Sequence, residues 1–252
     1  DKAYVSVKIA FSNDAATKGT DDASKPFWYG TDAEHSIDAT KTIFVFYNAD
    51  GSYSQIARAT SLNGKGKTDT KEVNDNTEWN GDGVIVLRNL TSKSYPKYMA
   101  VVLNATQDIE NGLKGKSITE ATAFISNCAV AEETTDKKIL KNFVMSSSTY
   151  YNNGVVFCTE LKDDNFQESE AATVNHEITA YVERIAAKVT VKLNDAIVKS
   201  GQKVEIGSFA VKSVDAEGKI SEDTKPLYAR IDGWGLNATA PESYIFKNIE
   251  NW

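Results

Sequence analysis

The sequence predicts a mainly β protein: a β-sandwich domain with a short helical insertion, followed by the start of a second β-sandwich domain. Three observations predict this class. Many short segments alternate apolar and polar residues, turn-forming residues separate them, and strands and helices do not alternate as in βαβ proteins. The chain has 252 residues, of which 41% are hydrophobic, so it can form one large or two medium domains.

Residues 3–12 are the best-patterned strand of the chain. One face carries Val5, Val7, Ile9 and Phe11, and the other begins with Tyr4. Because side chains alternate between the two faces of a strand, this period of two predicts a strand with one buried face and a sheet beside it. A polar segment that contains Lys18 and Gly19 follows.

The next segments predict further strands and one helix. Two β-rich runs around an Asn-Ala-Asp-Gly turn predict a hairpin over 41–58, with Gly51 at a positive φ. Ser117 and Glu120 have the spacing of a capping box, which predicts a helix over 117–127. Gly, Asn, Asp and Lys are so frequent over 61–83 that a long surface loop or loop-hairpin is expected. The other predicted strands of this part are 83–90, 97–104, 142–147 and 154–161.

A domain junction is predicted where the alternation changes phase. Over residues 177–193 the apolar positions follow one phase up to Val182 and the opposite phase from Ile185, with the switch at Glu183–Arg184. A shift by one residue turns every side chain to the other face, so it requires a bulge or a move to another sheet. The predicted domains are therefore 1–182 and 183–252, and the second is expected to be incomplete.

Composition and motifs exclude several classes of function. The formal net charge is −7, with 28 basic and 35 acidic residues, which argues against a nucleic-acid partner. The apolar runs are too short to span a bilayer, and any export signal is expected either to have been removed or never to have existed. Since neither a nucleophile elbow, a catalytic carboxylate pair nor metal-ligand spacing is present, we expect no enzyme, no cofactor and no metal.

The two cysteines and Trp79 are further candidate site residues. Cys128 and Cys158 lie in apolar surroundings without metal-ligand spacing, so a disulfide between them and two buried free thiols are both open. Trp79 lies in the glycine-rich loop and is a candidate for stacking on a sugar ring. The alternative is that Trp79 packs this loop onto the sandwich.

Several segments, taken in their order along the chain, resemble the Bacteroidales fimbrillins, the FimA-type and especially Mfa-type subunits of type V pili. The segments are "AYVSVKIAFS" followed by "ATKGTDD", "TDAEHSIDATKTIFVFYNADG", "KYMAVVLNAT", "NFVMSSSTYY", "YVERIAAKVTVKL" and "WGLNATAPESY". They extend through nearly the whole chain. The resemblance implies export as a lipidated precursor to the outer-membrane surface and two transthyretin-like β-sandwich domains.

The resemblance also implies a mode of assembly. In such subunits a trypsin-like protease removes the first strand after a basic residue, and a strand donated by the next subunit fills the groove. Carried over to this chain, the cut falls between Lys18 and Gly19, which removes residues 1–18. The implied partners are other fimbrial subunits, the processing protease, and host or bacterial surface glycans or proteins. From the residues alone, an ordinary first strand and a solvated loop lysine remain the alternative.

This chain departs from the family pattern in two respects. Lys18 occupies the position at which the family typically has arginine, so an arginine-specific protease would not cut here. Compared with the family, this chain is expected to lack a complete second domain and the C-terminal donor segment, as a fragment of a longer protein would. A surface-exposed tip adhesin or glycan-binding lipoprotein on the same fold, with the 61–83 loop and Trp79 as its contact surface, is the alternative function.

Overall fold

The computed structural model describes residues 2–11, 37–66, 79–90, 94–127, 131–134, 137–140, 143–148, 157–186, 191, 193–237 and 240–247. Within these residues the protein is mainly β, as the sequence predicts. The strands are β1 (Ala3–Phe11), β2 (Ile43–Tyr47), β3 (Tyr53–Ala57), β4 (Ala59–Gly66), β5 (Trp79–Leu87), β6 (Tyr98–Leu103), β7 (Ile125–Asn127), β8 (Ala131–Thr134), β9 (Lys137–Leu140), β10 (Met145–Ser147), β11 (Thr159–Glu160), β12 (Ile178–Arg184), β13 (Lys203–Val214), β14 (Ile220–Arg230) and β15 (Glu242–Tyr244). The α-helices are α1 (Gln107–Leu113), α2 (Ile118–Thr122) and α3 (Asp195–Lys199), and 3-10 turns occupy Ala39–Lys41, Asp163–Asn165 and Ala171–Asn175.

The chain divides into two compact units. The first contains residues 1–187 and 240–252, and the second contains residues 188–239. The junction lies near the predicted phase switch at Glu183–Arg184, but residues 240–252 belong to the first unit and not to a second domain over 183–252. The reason is that the chain returns to the first unit and buries Ile245 and Phe246 there.

One large sheet dominates the first unit. Among the described strands, nine form this sheet in the order β3-β2-β6-β10-β12-β1-β5-β4, with β11 beside β6. The predicted hairpin over 41–58 is confirmed as β2 and β3, and Gly51 has a φ of 82°. β1 lies in the interior of the sheet, parallel to β12 and antiparallel to β5.

The two edges of this sheet approach each other. β3 and β4 are the edge strands, and only Arg58 separates them along the chain. The Arg58 Nε donates a hydrogen bond of 3.1 Å to the carbonyl oxygen of Thr40, and its guanidinium pairs with Glu110. Because one residue leads from one edge to the other, the sheet curls until it is nearly closed.

Two apolar cores occupy the two faces of the sheet. The residues of the first core on β1, β2, β5, β6 and β12 include Val5, Val7, Ile9, Phe44, Phe46, Ile85, Leu87, Met99, Val101, Leu103, Ile178, Ala180 and Val182. The second core combines the other face of β2 and β6 with α1, α2 and the returning chain, and includes Ile43, Val45, Tyr47, Ala100, Val102, Ile109, Leu113, Ile118, Ala121, Phe157, Cys158, Ile245 and Phe246. β2 is thus buried on both faces, which explains its continuous apolar run "IFVFY".

The helical insertion is shorter than the sequence predicts. The capping box is present, because Ser117 Oγ accepts the amide of Glu120 while the Glu120 carboxylate accepts the amide of Ser117. The helix nevertheless ends at Thr122, and β7 begins at Ile125, so the prediction of a helix over 117–127 is wrong in its second half. The reason is tertiary: β7 pairs with β15, and pairing over a distance overrides the local preference for helix.

The second unit contains α3 and the long hairpin of β13 and β14. Its hairpin exposes several large apolar side chains, among them Phe209, Val211 and Leu227. In the part of the chain that the structure describes, the longest helix has seven residues, and none is long and apolar enough to cross a membrane.

Replacing Ile9 by alanine tests the contribution of β1 to the first unit. Ile9 is fully buried, so Ile9→Ala should lower the free energy of unfolding by about 2–5 kcal/mol, from lost burial and the cavity left behind. Urea unfolding followed by tryptophan fluorescence measures this change. The control is Val174→Ala, because Val174 is 75% exposed and its truncation should change stability by about 0.5 kcal/mol or less. Equal effects of the two substitutions would contradict a central role for β1.

Candidate functional site

The backbone of β1 is paired along both of its edges. Residues 3–10 pair with 80–87 of β5, and residues 7–11 pair with 178–182 of β12. On the same edge as β12, but nearer the start of β1, Tyr4 and Gln167 exchange two backbone hydrogen bonds. The amide of Tyr4 donates to the carbonyl of Gln167 at 2.8 Å, and the amide of Gln167 donates to the carbonyl of Tyr4 at 3.0 Å. β1 is therefore an interior strand, and its removal would leave two rows of unpaired backbone groups.

The side chains of β1 fill the first core. Val5, Val7 and Ile9 have no exposed surface, while Tyr4 is half-buried on the other face. Burying side chains of this size stabilises the fold by roughly 1.5–3 kcal/mol each. The predicted core face of the first strand is confirmed for these three residues, whereas the side chain of Phe11 lies outside the described part of the structure.

The neighbouring strand β5 complements β1 in shape. Val7 lies opposite Gly83 and Ile9 lies opposite Gly81 in the antiparallel register. Opposite residues point to the same face of a sheet, so Val7 and Ile9 each face a position without a side chain, whereas Val5 faces Ile85. At the other end the sizes reverse, because Ala3 lies opposite Leu87. The groove beside β5 is therefore wide at Gly81 and Gly83 and narrow at Leu87.

These two glycines are site residues that the sequence reasoning missed. Residues 61–83 were expected to form a surface loop or loop-hairpin; β4 and β5 show that the ends of this segment form a hairpin, with Gly66 opposite Trp79. The sequence does contain a signal for this strand, because Gly81, Gly83, Ile85 and Leu87 recur with a period of two in "NGDGVIVL". The high glycine content of the segment favours a loop instead, and for that reason the start of the strand was not predicted.

Several predicted site residues lie outside the described part of the structure. Lys18 and Gly19 fall within residues 12–36, which the structure does not describe. Cys128 falls within a second such segment, residues 128–130. Trp79 is described as the first residue of β5, but its side chain is not. The processing site and the sugar-stacking role of Trp79 therefore stay predictions.

Cys158 carries a free thiol. It has no exposed surface and lies in the second core, where burial raises the pKa of the thiol well above its usual value. The same burial raises the pKa of Tyr47 in that core. Of the two alternatives that the sequence left open, a buried free thiol describes Cys158.

Two clefts flank the region where the edges of the sheet meet. One, of about 360 Å³, contains the Arg58–Glu110 ion pair, and the other, of about 450 Å³, is lined by polar residues that include Gln55 and Arg88. In the first cleft the two charges neutralise each other. Among the described residues there is no cluster of three or more His, Cys, Asp or Glu side chains that could hold a metal ion.

Thiol labelling tests the burial of Cys158. In a Cys128→Ser chain, Cys158 should react with an aromatic disulfide reagent at least about a hundredfold more slowly in native buffer than in denaturant. The reason is that reaction requires a thiolate, which burial disfavours, and access, which requires opening of the second core. Equal rates in both conditions would show that Cys158 is accessible in the native protein.

No protein-family model, curated protein or solved structure matches this chain. The feature of the described residues that bears on function is an interior first strand whose two edges and apolar face are all engaged by the rest of the first unit.

Proposed function

We propose that this protein is a non-enzymatic structural subunit of a cell-surface fimbria of the type V kind, which supports adhesion. In this proposal it is exported as a lipidated precursor to the outer-membrane surface and consists of transthyretin-like β-sandwich domains. Cleavage between Lys18 and Gly19 removes the first strand, and a strand of the next subunit replaces it. The interior position of β1 is the observation that carries the proposal.

An interior first strand suits this mode of assembly because its loss creates a strong binding site. The edges of β5 and β12 would each present unpaired amides and carbonyls, and the first core would lose the side chains of Val5, Val7 and Ile9. A donated strand restores the backbone ladder and the apolar burial together. The energy that β1 contributes within one subunit becomes the energy that joins two subunits.

The same arrangement prevents assembly before cleavage. While β1 is covalently attached, it occupies the groove as an intramolecular ligand at high effective concentration. A strand from another molecule competes poorly with it, so the uncut precursor stays monomeric. A proteolytic cut between Lys18 and Gly19 turns the segment that contains β1 into a separate peptide, which can then dissociate from the groove.

The groove also selects its donor. A replacement strand must place large apolar residues opposite Gly83 and Gly81, where Val7 and Ile9 lie in the uncut chain. A slip of one residue would turn these side chains out of the core. The donor strand is therefore expected to alternate apolar and polar residues in the phase of β1.

Limited digestion of the full-length subunit, with its C-terminal donor segment, by a lysine-specific protease tests the switch. We expect loss of residues 1–18 by intact mass and a ladder of high-mass species on a native gel. The matched control is Lys18→Gln, which removes the cleavage site and should leave the protein monomeric under the same digestion. A chain that is clipped at Lys18 and remains monomeric would contradict the proposed polymerising role.

A peptide added in trans tests whether the groove is the site of assembly. The peptide of residues 2–12, "KAYVSVKIAFS", carries the exposed Lys2 and Lys8, so it is made with Lys2→Gln and Lys8→Gln to prevent its own cleavage. Added in excess during digestion, it should refill the groove and suppress the ladder. A control peptide with Val7→Asp and Ile9→Asp should have no effect, because it would bury charge opposite Gly83 and Gly81. Suppression by both peptides would indicate that the ladder has another cause.

A further inference from the structure

The hairpin of β13 and β14 exposes large apolar side chains along its middle. Phe209, Val211 and Leu227 are 49%, 36% and 46% exposed. A two-stranded hairpin is only marginally stable in water by itself, and contiguous exposed apolar surface commonly marks an interaction site. The hairpin is therefore a candidate surface for a partner.

The three apolar side chains share one face of the hairpin. Side chains alternate along a strand, and directly opposite residues point to the same face. The pairs on this face are Gly207 with Leu227, Phe209 with Lys225, Val211 with Asp223, and Ser213 with Ser221. We call the residues of these four pairs the Phe209 face. The middle of the opposite face is charged, because Lys212 lies opposite Glu222 there, with Nζ and Oε2 3.5 Å apart.

The edges of the hairpin are less suited to a partner than this face. β13 has a bulge between Glu205 and Gly207, and β14 contains Pro226, which has no amide hydrogen. Bulges and prolines in edge strands hinder pairing with a strand of another molecule. A partner is therefore expected on the Phe209 face and not along the edges.

The Phe209 face is complementary to a second copy of itself. A two-fold axis perpendicular to the strands, midway between Phe209 and Val211, places Phe209 over Val211 of the second copy. The same axis places Lys225 over Asp223 of the second copy. Farther out, Leu227 meets the small Ser221 of the second copy, so bulky side chains do not collide there. Apolar groups thus meet apolar groups, and opposite charges meet.

The other two-fold arrangement lacks this complementarity. An axis parallel to the strands would place Phe209 over Lys225 of the second copy and Val211 over Asp223 of the second copy, so apolar groups would meet charges. In the perpendicular arrangement the strands of the two hairpins remain aligned, as in β-sandwiches whose sheets pack about 10 Å apart. Sheet twist shifts the outer pairs most, so the pairs next to the axis decide the fit.

We propose that two copies of this chain form a symmetric dimer by packing their Phe209 faces together. Phe209 and Val211 form its apolar centre, and Lys225 and Asp223, which already pair within one chain, form a ring of four alternating charges beside it. A face only two strands wide is smaller than a standard interface, so the dimer is weak. The proposal goes beyond the fimbrial function and does not depend on it, because the hairpin belongs to the second unit and β1 to the first.

Charge reversal on the Phe209 face tests this dimer. In a Lys18→Gln chain, which keeps β1 attached, sedimentation equilibrium from micromolar to millimolar concentration should show a rise from 27.6 kDa to twice that mass. Lys225→Asp and Asp223→Lys each bring like charges together, so each variant alone should dimerise at least about tenfold more weakly. A mixture of the two variants should regain the dimer, because the acids of one chain then meet the lysines of the other. Both side chains are exposed, so the variants should fold.

Two further variants distinguish this face from the rest of the hairpin. Lys212→Asp makes the same change of charge on the opposite face and should leave the dimer unchanged. Phe209→Ser removes the apolar centre and should weaken the dimer. A parent chain that stays monomeric at millimolar concentration, or a Lys225→Asp chain that dimerises as well as the parent, would overturn the proposal. Either result would leave the proposed role of β1 untouched.

Discussion

The insertion of β1 between β5 and β12 is the interaction on which the first unit depends. It joins residues near the start of the sequence to residues 80–87 and 178–182, and its pairing with β12 closes the longest loop among the described strand pairs. Closing such a loop costs conformational entropy, which the contacts made by β1 must offset. The compensating stabilisation comes from backbone pairing on both edges and from fully buried Val5, Val7 and Ile9. In the proposed assembly, a donated strand would have to supply this stabilisation.

The shape of β5 makes this interaction specific. Gly81 and Gly83 leave space opposite Ile9 and Val7, while Leu87 fills the space opposite Ala3. Glycine within a strand weakens that strand by itself and is found where another chain segment approaches closely. The glycines of β5 thus lower its own preference for a strand and raise its preference for β1 as a neighbour. The same pattern defines which donated strand could take the place of β1.

The sequence predicted the features that depend on local patterns. The alternation of β1, the hairpin turn at Gly51 and the capping box of Ser117 and Glu120 each involve neighbouring residues and are confirmed. The return of Ile245 and Phe246 to the first unit was not predictable, because nothing in so short an apolar stretch specifies partners as distant in the sequence as Phe124 and Phe157. The role of Gly81 and Gly83 was missed for a related reason: it exists only in the register with β1.

Strands β2 and β6 lie between the two apolar cores, because each core packs against one of their faces. Phe44 and Phe46 face the core that β1 completes, and Ile43 and Val45 face the core that residues 240–247 complete. Removing either segment would leave one face of the same two strands without its partner residues. Because a close-packed core transmits strain, the packing on the other face is then expected to loosen as well. β2 and β6 therefore couple the two cores, and loss of β1 is expected to lower the stability of the second core as well as that of the first.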